Sequence, residues 1–507
     1  MDARGRPEVS RRAFTGAAAL LAIAGTTGCT RDDEVTVVLV EQPPASTVLP
    51  GADPAETALS LSAALFASAE VAVVATADTV AALAPLSIRA GIPLLVGTGT
   101  TVDEELARLD VGTVLTAVGT DLAALGGDLE IVELDPSAAD VELPAVRHEG
   151  HPVAVTLCVD PAQELPGRAV AAARVEAAGG TVLEAPGGDV GRSGDVITAV
   201  AATAGEDGTH GVLALGSSFG PADAWPAAVQ RAVSTPQLPG GGITAFPGRR
   251  MVAMYGSPGV PSLGVLGEQG IQESIARVQE LVAEYDGLSE EPVVPAFEII
   301  STSASSAPGG DGDYSRALPA DSLRDWVDAA AEAGVYVVLD LQPGTTDFLT
   351  QATLYEELLT APHVGLALDS EWRLAPGQKH LEQIGSVTAA EVDEVSTWLA
   401  DLTAEHGLPQ KVLILHQFTH SMISDRQDVD TSRPELAITL HADGHGVPAD
   451  KLGTYRALQT DLPEGIFMAW KNFYDEDTPM FTPGRPTGSS RDPGSCPTSE
   501  PRRARHP

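Results

Sequence analysis

The chain reads as an α/β protein: doubly wound, Rossmann-like α/β segments followed by a TIM-like (β/α) barrel whose eighth strand is missing. Three observations predict this. Seven short apolar runs in the second half alternate with helical patterns, which implies a parallel sheet buried on both faces. Most of these runs end in polar, chemically capable residues, as strands do at the carboxyl-terminal face of a barrel. The first half carries a separate strand–helix alternation, rich in Ala, Val and Gly.

Residues 1–29 read as a twin-arginine, lipoprotein-type signal peptide. Ser10-Arg11-Arg12-Ala13-Phe14 matches the twin-arginine export signal, and the apolar stretch from Gly16 to Gly25 is too short to span a membrane. Thr26-Thr27-Gly28-Cys29 resembles a bacterial lipobox. The resemblance implies that Cys29 is acylated and tethers an exported protein to the outer face of the cell membrane or to the wall.

Residues 30–148 form the first α/β domain. EVTVVLVE, AEVAVVATAD, IPLLVGTG and VGTVLTAVGTD are expected strands; ETALSLSAALFASA and TVAALAPLSIRAG are expected helices. The stretch from Glu56 to Gly119 resembles the cell wall-binding repeat type 2 module of Gram-positive surface proteins, which implies an envelope location. Its glycines lack the G-x-G-x-x-G spacing of a dinucleotide site. PSAADVELPAVRHEGHP reads as a linker. Residues 149–248 form a second α/β segment, with strands HPVAVTLCVD, AGGTVLEAPGG and GTHGVLALGSS around helices GRAVAAARVEAAG and DVITAVAATAG.

Residues 249–483 form the barrel. Its strands are RMVAMYGSPG, VVPAFEIISTSAS, VYVVLDLQPG, VGLALDSEWRL, KVLILHQF, LAITLHADGHG and GIFMAWKNFYDED. Helices IQESIARVQELVAEY, DFLTQATLYEELL, AAEVDEVSTWLADLTAEHG and ADKLGTYRALQ fall between them. From Gly484 the composition changes to five arginines without an apolar run, so residues 484–507 are expected to be a disordered basic tail. FPGRRMVAMYGSPGVPSLGVLGEQG, GVYVVLDLQPG and WKNFYDED are similar to actinobacterial exported proteins that carry such a repeat ahead of a barrel. That likeness implies no particular reaction.

Composition narrows the partners. Seventy acidic against thirty basic residues give a formal charge of −40, which excludes tight nucleic-acid binding and repels anionic lipid. Membrane contact is therefore expected through a lipid anchor alone. Three cysteines, Cys29, Cys158 and Cys496, are too few for a disulfide scaffold, and Cys158 reads as a small buried hydrophobe.

The chemistry is sought at the barrel strand ends. Asp369-Ser370-Glu371 is a D-x-E at a strand terminus, where residues two apart in an extended segment share a face. Glycosidases need two carboxyl groups, one protonated and one ionised. The motif resembles the D-x-E of chitinase-like and muramidase-like barrels, which implies Glu371 as general acid with Asp369 raising its pKa. Glu298 and Asp340 are candidates for the second carboxylate. Trp372 and Trp470 offer faces for sugar rings, and Tyr255, His416, Gln417, His441, Asp443, Lys471 and Asn472 are candidate substrate contacts. The expected partner is a wall or extracellular polysaccharide, with no cofactor and no metal. Purely structural roles compete with these: Arg373 could pair with Asp369, and Trp470 could cover the barrel's end.

Two other classes stay open. His416, His441 and Asp443 resemble part of a metal-dependent amidohydrolase site. The first strand of such enzymes carries H-x-H, whereas here it reads Tyr255-Gly256-Ser257. A non-catalytic wall- or ligand-binding lipoprotein is the third class, because the two front segments resemble the halves of a periplasmic binding protein.

Overall fold

A computed structural model describes residues 34–205 and 207–483, and the backbone alone of Pro497–Glu500. The export and lipidation motifs, Cys29 among them, and tail residues 484–496 and 501–507 lie outside the described residues.

The fold is mixed α/β with mostly parallel sheets. In the front half, Leu94–Val96, Val71–Ala75, Thr113–Ala117 and Glu130–Leu134 form one parallel sheet in that order. Thr181–Glu184, Thr156–Val159, Val212–Leu215 and Thr47–Leu49 form another. The third places Val35–Leu39 between Phe66–Ala69 and Val146–Glu149.

Two expectations change here. The helix Pro54–Leu65, capped by the Asp53 side chain on Ala55 N and Glu56 N, stops short of its expected end. Phe66 turns extended, and Phe66–Ala69 pairs antiparallel with Val37–Leu39 instead of continuing the helix. Val146–Glu149 belongs to the stretch expected to be a linker, yet it pairs parallel with Val35–Val38. A polar edge strand carries no apolar run to announce it.

The strand Thr47–Leu49 crosses over to pair with Leu213–Leu215. One apolar core accordingly runs through Val37, Leu61, Leu83, Leu157, Val170 and Leu213. Cys158 is fully buried with its thiol pushed up to about 12 by burial, inert as expected of a small core residue.

The second half is built on a curled parallel sheet. Its order is Arg250–Gly256, Val293–Ala304, Tyr336–Leu341, Val364–Asp369, Lys411–Gln417, Leu436–Ala442 and Phe467–Phe473, which is the order of the sequence. Pro497–Glu500 then pairs parallel with Trp470–Phe473. The backbone thus continues the series where the eighth strand was expected to be missing; a strand that opens on proline and carries no apolar run leaves no hydrophobic pattern to read. Helices Ile271–Ala283, Ala320–Ala333, Ala389–Glu405 and Pro448–Leu458 pack outside. The expected helix DFLTQATLYEELL is broken into Phe348–Ala352, a 3-10 turn at Thr353–Tyr355, and Glu356–Leu359. The Tyr355 hydroxyl there donates to Ser301 O and Leu318 O.

Every strand has two kinds of neighbour. Outward residues such as Leu339, Leu366, Leu415 and Leu440 meet the helices. Inward residues fill the amino-terminal end of the curl with Ala253, Ala296, Val338, Ile414 and Ala437, together with Leu238 and Phe246 from the incoming segment. Among the described residues no helix is long and apolar enough to cross a membrane.

Candidate functional site

Inward positions climb each strand in steps of two, because successive side chains alternate faces. Above the apolar plug the next inward layer is polar: Glu298, Asp340, His416 and His441, all fully buried. Two residues further on, Ile300, Gln342, Asp369, Phe418, Asp443 and Lys471 line a cavity of about 740 Å³ at the carboxyl ends of the strands. Tyr255 joins them from the first strand, and Glu371 and Trp372 from the turn after Asp369. The site is therefore two layers deep, with a floor of ionisable groups under a cavity.

His416 is the centre of the floor. Its Nε2 lies 2.6 Å from Glu298 Oε1 and its Nδ1 lies 3.1 Å from Asp443 Oδ2. Where the partners are carboxylates, both ring nitrogens must carry hydrogen, and the ring is an imidazolium. Burial alone would discharge it; Glu298 and Asp443 outweigh burial and hold its pKa well above the ordinary value. The carboxylates respond in kind. Burial pushes Glu298 up, but His416, with Lys471 adding, brings it below the usual range. Burial likewise opposes ionisation of Asp443, and Lys471, followed by His416, holds it far below. Lys471 Nζ sits 3.4 Å from Asp443 Oδ1 and 3.7 Å from the centroid of the Tyr255 ring.

The other two carboxyl groups move the opposite way. Burial lifts Asp340 to about 7, with Glu298 adding to it against the pull of His416, and Asp340 Oδ2 accepts from the Tyr255 hydroxyl at 2.9 Å. Burial and the charge of Glu371 raise Asp369 well above its ordinary value. Gln342 Nε2 reaches Asp369 Oδ2 at 3.4 Å and the Tyr255 oxygen at 3.5 Å, while its Oε1 accepts from Ala304 N. His441 is driven down to about 4 by burial and by His416, whose ring is 4.7 Å away, so it stays neutral.

Placed against expectation, the residues separate by strand parity. Asp369, Glu371, Trp372, Asp443, Lys471 and Tyr255 reach the cavity. Glu298, Asp340, His416 and His441 lie one layer beneath it. Gln417 does not reach it: its Oε1 accepts from Arg426 Nη1 at 2.8 Å and its amide donates to His420 O, on the outward face. Trp470 is also turned outward, stacked on Phe481 with ring centroids 4.8 Å apart and edge-on to Tyr455. It is a core residue and not a sugar platform. Asn472 shares that parity and is absent from the cavity wall.

Asp369 and Glu371 do not share an extended face, since the strand ends at Asp369 and Ser370–Trp372 form a 3-10 turn; the turn brings both to the cavity. Arg373 pairs with Glu391 at 2.7 Å and not with Asp369. Gln342, Phe418 and Phe473 are wall residues that strand-end chemistry alone does not single out, although Gln342 and Phe418 stand two positions beyond Asp340 and His416 of the layer beneath.

The metal reading can be tested on the donor set. Glu298, His416 and His441 bring ligand-type atoms within 4.8 Å of one another, and so do Asp369, His416 and Asp443. Both sets share His416, whose two ring nitrogens face the carboxyl groups of Glu298 and Asp443. As arranged, these donor atoms are spent on one another, an imidazolium between two carboxylates. No protein-family model matches the chain, and no curated protein matches it.

Proposed function

We propose that the chain is an exported glycoside hydrolase, built on a (β/α) barrel and acting on a wall or extracellular polysaccharide. One observation carries the reading: a single cavity holds carboxyl groups driven in opposite directions, Asp369 beside Glu371 upward and Asp443 downward. Paired carboxyl groups kept in different protonation states are what acid-assisted cleavage of a glycosidic bond requires.

Glu371 is the general acid. Asp369, buried beneath it, holds the proton that their mutual repulsion keeps in the pair. A sugar closing over Glu371 removes water from that carboxyl and draws the proton onto it. The glycosidic oxygen takes this proton as its bond to C1 breaks, keeping the bonding electron pair. Asp443, ionised, faces the positive charge that builds at C1, where a water molecule then adds and gives up its proton, leaving the new reducing end. Trp372, half-buried on the wall, offers a ring face for a neighbouring sugar. Support for a barrel comes from Pro497–Glu500, which follows the seventh strand and lies near Arg250–Gly256.

The test is direct. The purified mature chain is expected to release reducing ends from a wall polysaccharide or a chitin-like oligomer. Glu371→Gln should lower kcat by about 10² to 10⁴, with the thermal midpoint moved by no more than about 2 °C. A variant that loses midpoint and activity together would make Glu371 a structural acid and defeat the assignment.

Envelope localisation is proposed on Arg11-Arg12 and Cys29. In the producing cell the protein should fractionate with the membrane, and Cys29→Ser should release it. A wild-type protein found only in the soluble fraction would count against the anchor.

A further inference from the structure

Only four lysines occur in the chain, and three of them, Lys411, Lys451 and Lys471, are buried in the second half. Lys471 belongs to the cavity. Lys451 does not line it, yet its ammonium is spent on Asp477 and on the backbone beside the cavity's charged residues.

Lys451 stands on the helix Pro448–Leu458 with 3 % of its surface exposed. Its Nζ pairs with Asp477 Oδ2 at 2.8 Å, donates to Gly444 O at 3.0 Å, and donates to Lys471 O. Gly444 directly follows Asp443. One ammonium therefore ties the backbone just after Asp443 to the backbone of Lys471, the two residues whose side chains meet at 3.4 Å. The rings of Trp470 and Phe473 flank the same ammonium at 5.1 and 5.3 Å.

Asp477 performs the matching task from the opposite sign. Its Oδ1 accepts from Gly446 N and its Oδ2 from Phe473 N, both at 2.9 Å. Asp477 N donates to Phe473 O, and Thr478 N to Gly446 O. The loop after Leu436–Ala442 and the loop after Phe467–Phe473 are thus pinned to each other through one buried ion pair. Such a pair stabilises little compared with apolar side chains of equal volume, but it fixes direction.

We propose that Lys451 and Asp477 are positioning residues, which set the spacing of Lys471 and Asp443 and so aim both groups at a bound substrate. The activity arm of this claim rests on the hydrolase reading; its structural arm does not. Neither residue touches the cavity, so neither is catalytic.

The experiment uses the full mature chain and the variants Lys451→Met, Asp477→Asn and Lys471→Met. Lys451→Met should lower kcat on the cleaved glycan by about tenfold to a hundredfold, the scale of a small misplacement of reacting groups. KM should stay within about threefold of wild type, because the substrate's own contacts are untouched. Asp477→Asn, which keeps one acceptor oxygen and loses the charge, should move the same quantities less. A Lys451→Met chain that keeps wild-type kcat, or that loses kcat only together with a matching rise in KM, would overturn the proposal.

A double-mutant cycle supplies the arm that needs no activity. Midpoint shifts of Lys451→Met and Lys471→Met should fail to add, because the first change already loosens what the second removes. Additive shifts would overturn the coupling. If the wild-type chain cleaves no glycan, the hydrolase reading falls while the cycle still decides the positioning claim.

Discussion

At the scale of single residues the site is a problem in charge placement. His416 is fully buried, and a buried imidazolium survives only where both nitrogens are answered, here by Glu298 and Asp443. Replacing it with Gln leaves Glu298 without its direct cationic partner and Asp443 with Lys471 alone, a loss of about 3–5 kcal/mol. The pH dependence follows from the directions of the shifts. His416 is raised, so its contribution is fully present below its unfolded value near 6.5 and is lost as pH rises through its folded value. Glu298 and Asp443 are lowered, so theirs is present above the ordinary carboxylate range and is lost as pH falls below it. Asp340, raised to about 7, also favours the folded state at low pH and gives up that contribution as pH climbs towards 7. Urea unfolding of wild type and His416→Gln should therefore differ most between about pH 4.5 and 6.5, with the gap narrowing towards alkaline pH. A gap that stayed constant across the range would mean that His416 is neutral and merely fills space.

At the scale of elements, the backbone rhythm is what the sequence makes legible. All seven apolar runs of the second half are strands, because a parallel sheet covered on both faces must be apolar at nearly every position, and such runs stand out. The same property hides parity. Within WKNF nothing in residue chemistry says that Lys471 turns inward while Trp470 and Asn472 turn outward. One further residue of offset would have exchanged them. Gln417 beside His416 is ambiguous for the same reason, and it too faces outward. Spacing carries the parity: Glu298, Asp340, His416 and His441 each lie two residues before a wall position, and buried polar groups in a parallel strand are placed by what they can pair with. Loop contributions carry less signal. Asp477 acts through backbone amides of two loops, and nothing in YDEDTP distinguishes it from Asp475 until the chain is folded. Glu371 reaches the cavity by a route that an extended D-x-E does not foresee, since a 3-10 turn delivers it.

At the scale of the whole molecule, the apolar cores fix which pieces can stand alone. The front segments share a core across residue 148, and Thr47–Leu49 completes the second segment's sheet, so neither half of that pair buries its own surface. The curled sheet has cores of its own, but its amino-terminal end is closed by residues that precede the first strand. Leu238, Ala245 and Phe246 are buried with Met251, Ala253, Val294 and Ala437. Polar ties support the plug: Gln410 Oε1 accepts from Ala245 N at 2.9 Å, Gln410 N donates to Ile243 O, and Arg249 donates to Pro239 O, Gly241 O and Thr244 O. A fragment beginning at Arg249 discards the plug while keeping every strand. Losing a buried Leu costs about 2–5 kcal/mol and a buried Phe about 3–5. Their sum approaches the whole stability of an ordinary domain, about 5–15 kcal/mol. Residues 236–507 are therefore expected to yield a soluble fragment with a cooperative thermal transition. Residues 249–507 are expected to melt far lower or to aggregate on expression. Scanning calorimetry of the two fragments decides the matter: equal midpoints would show that the plug is a passive linker and that the curled sheet closes its own floor.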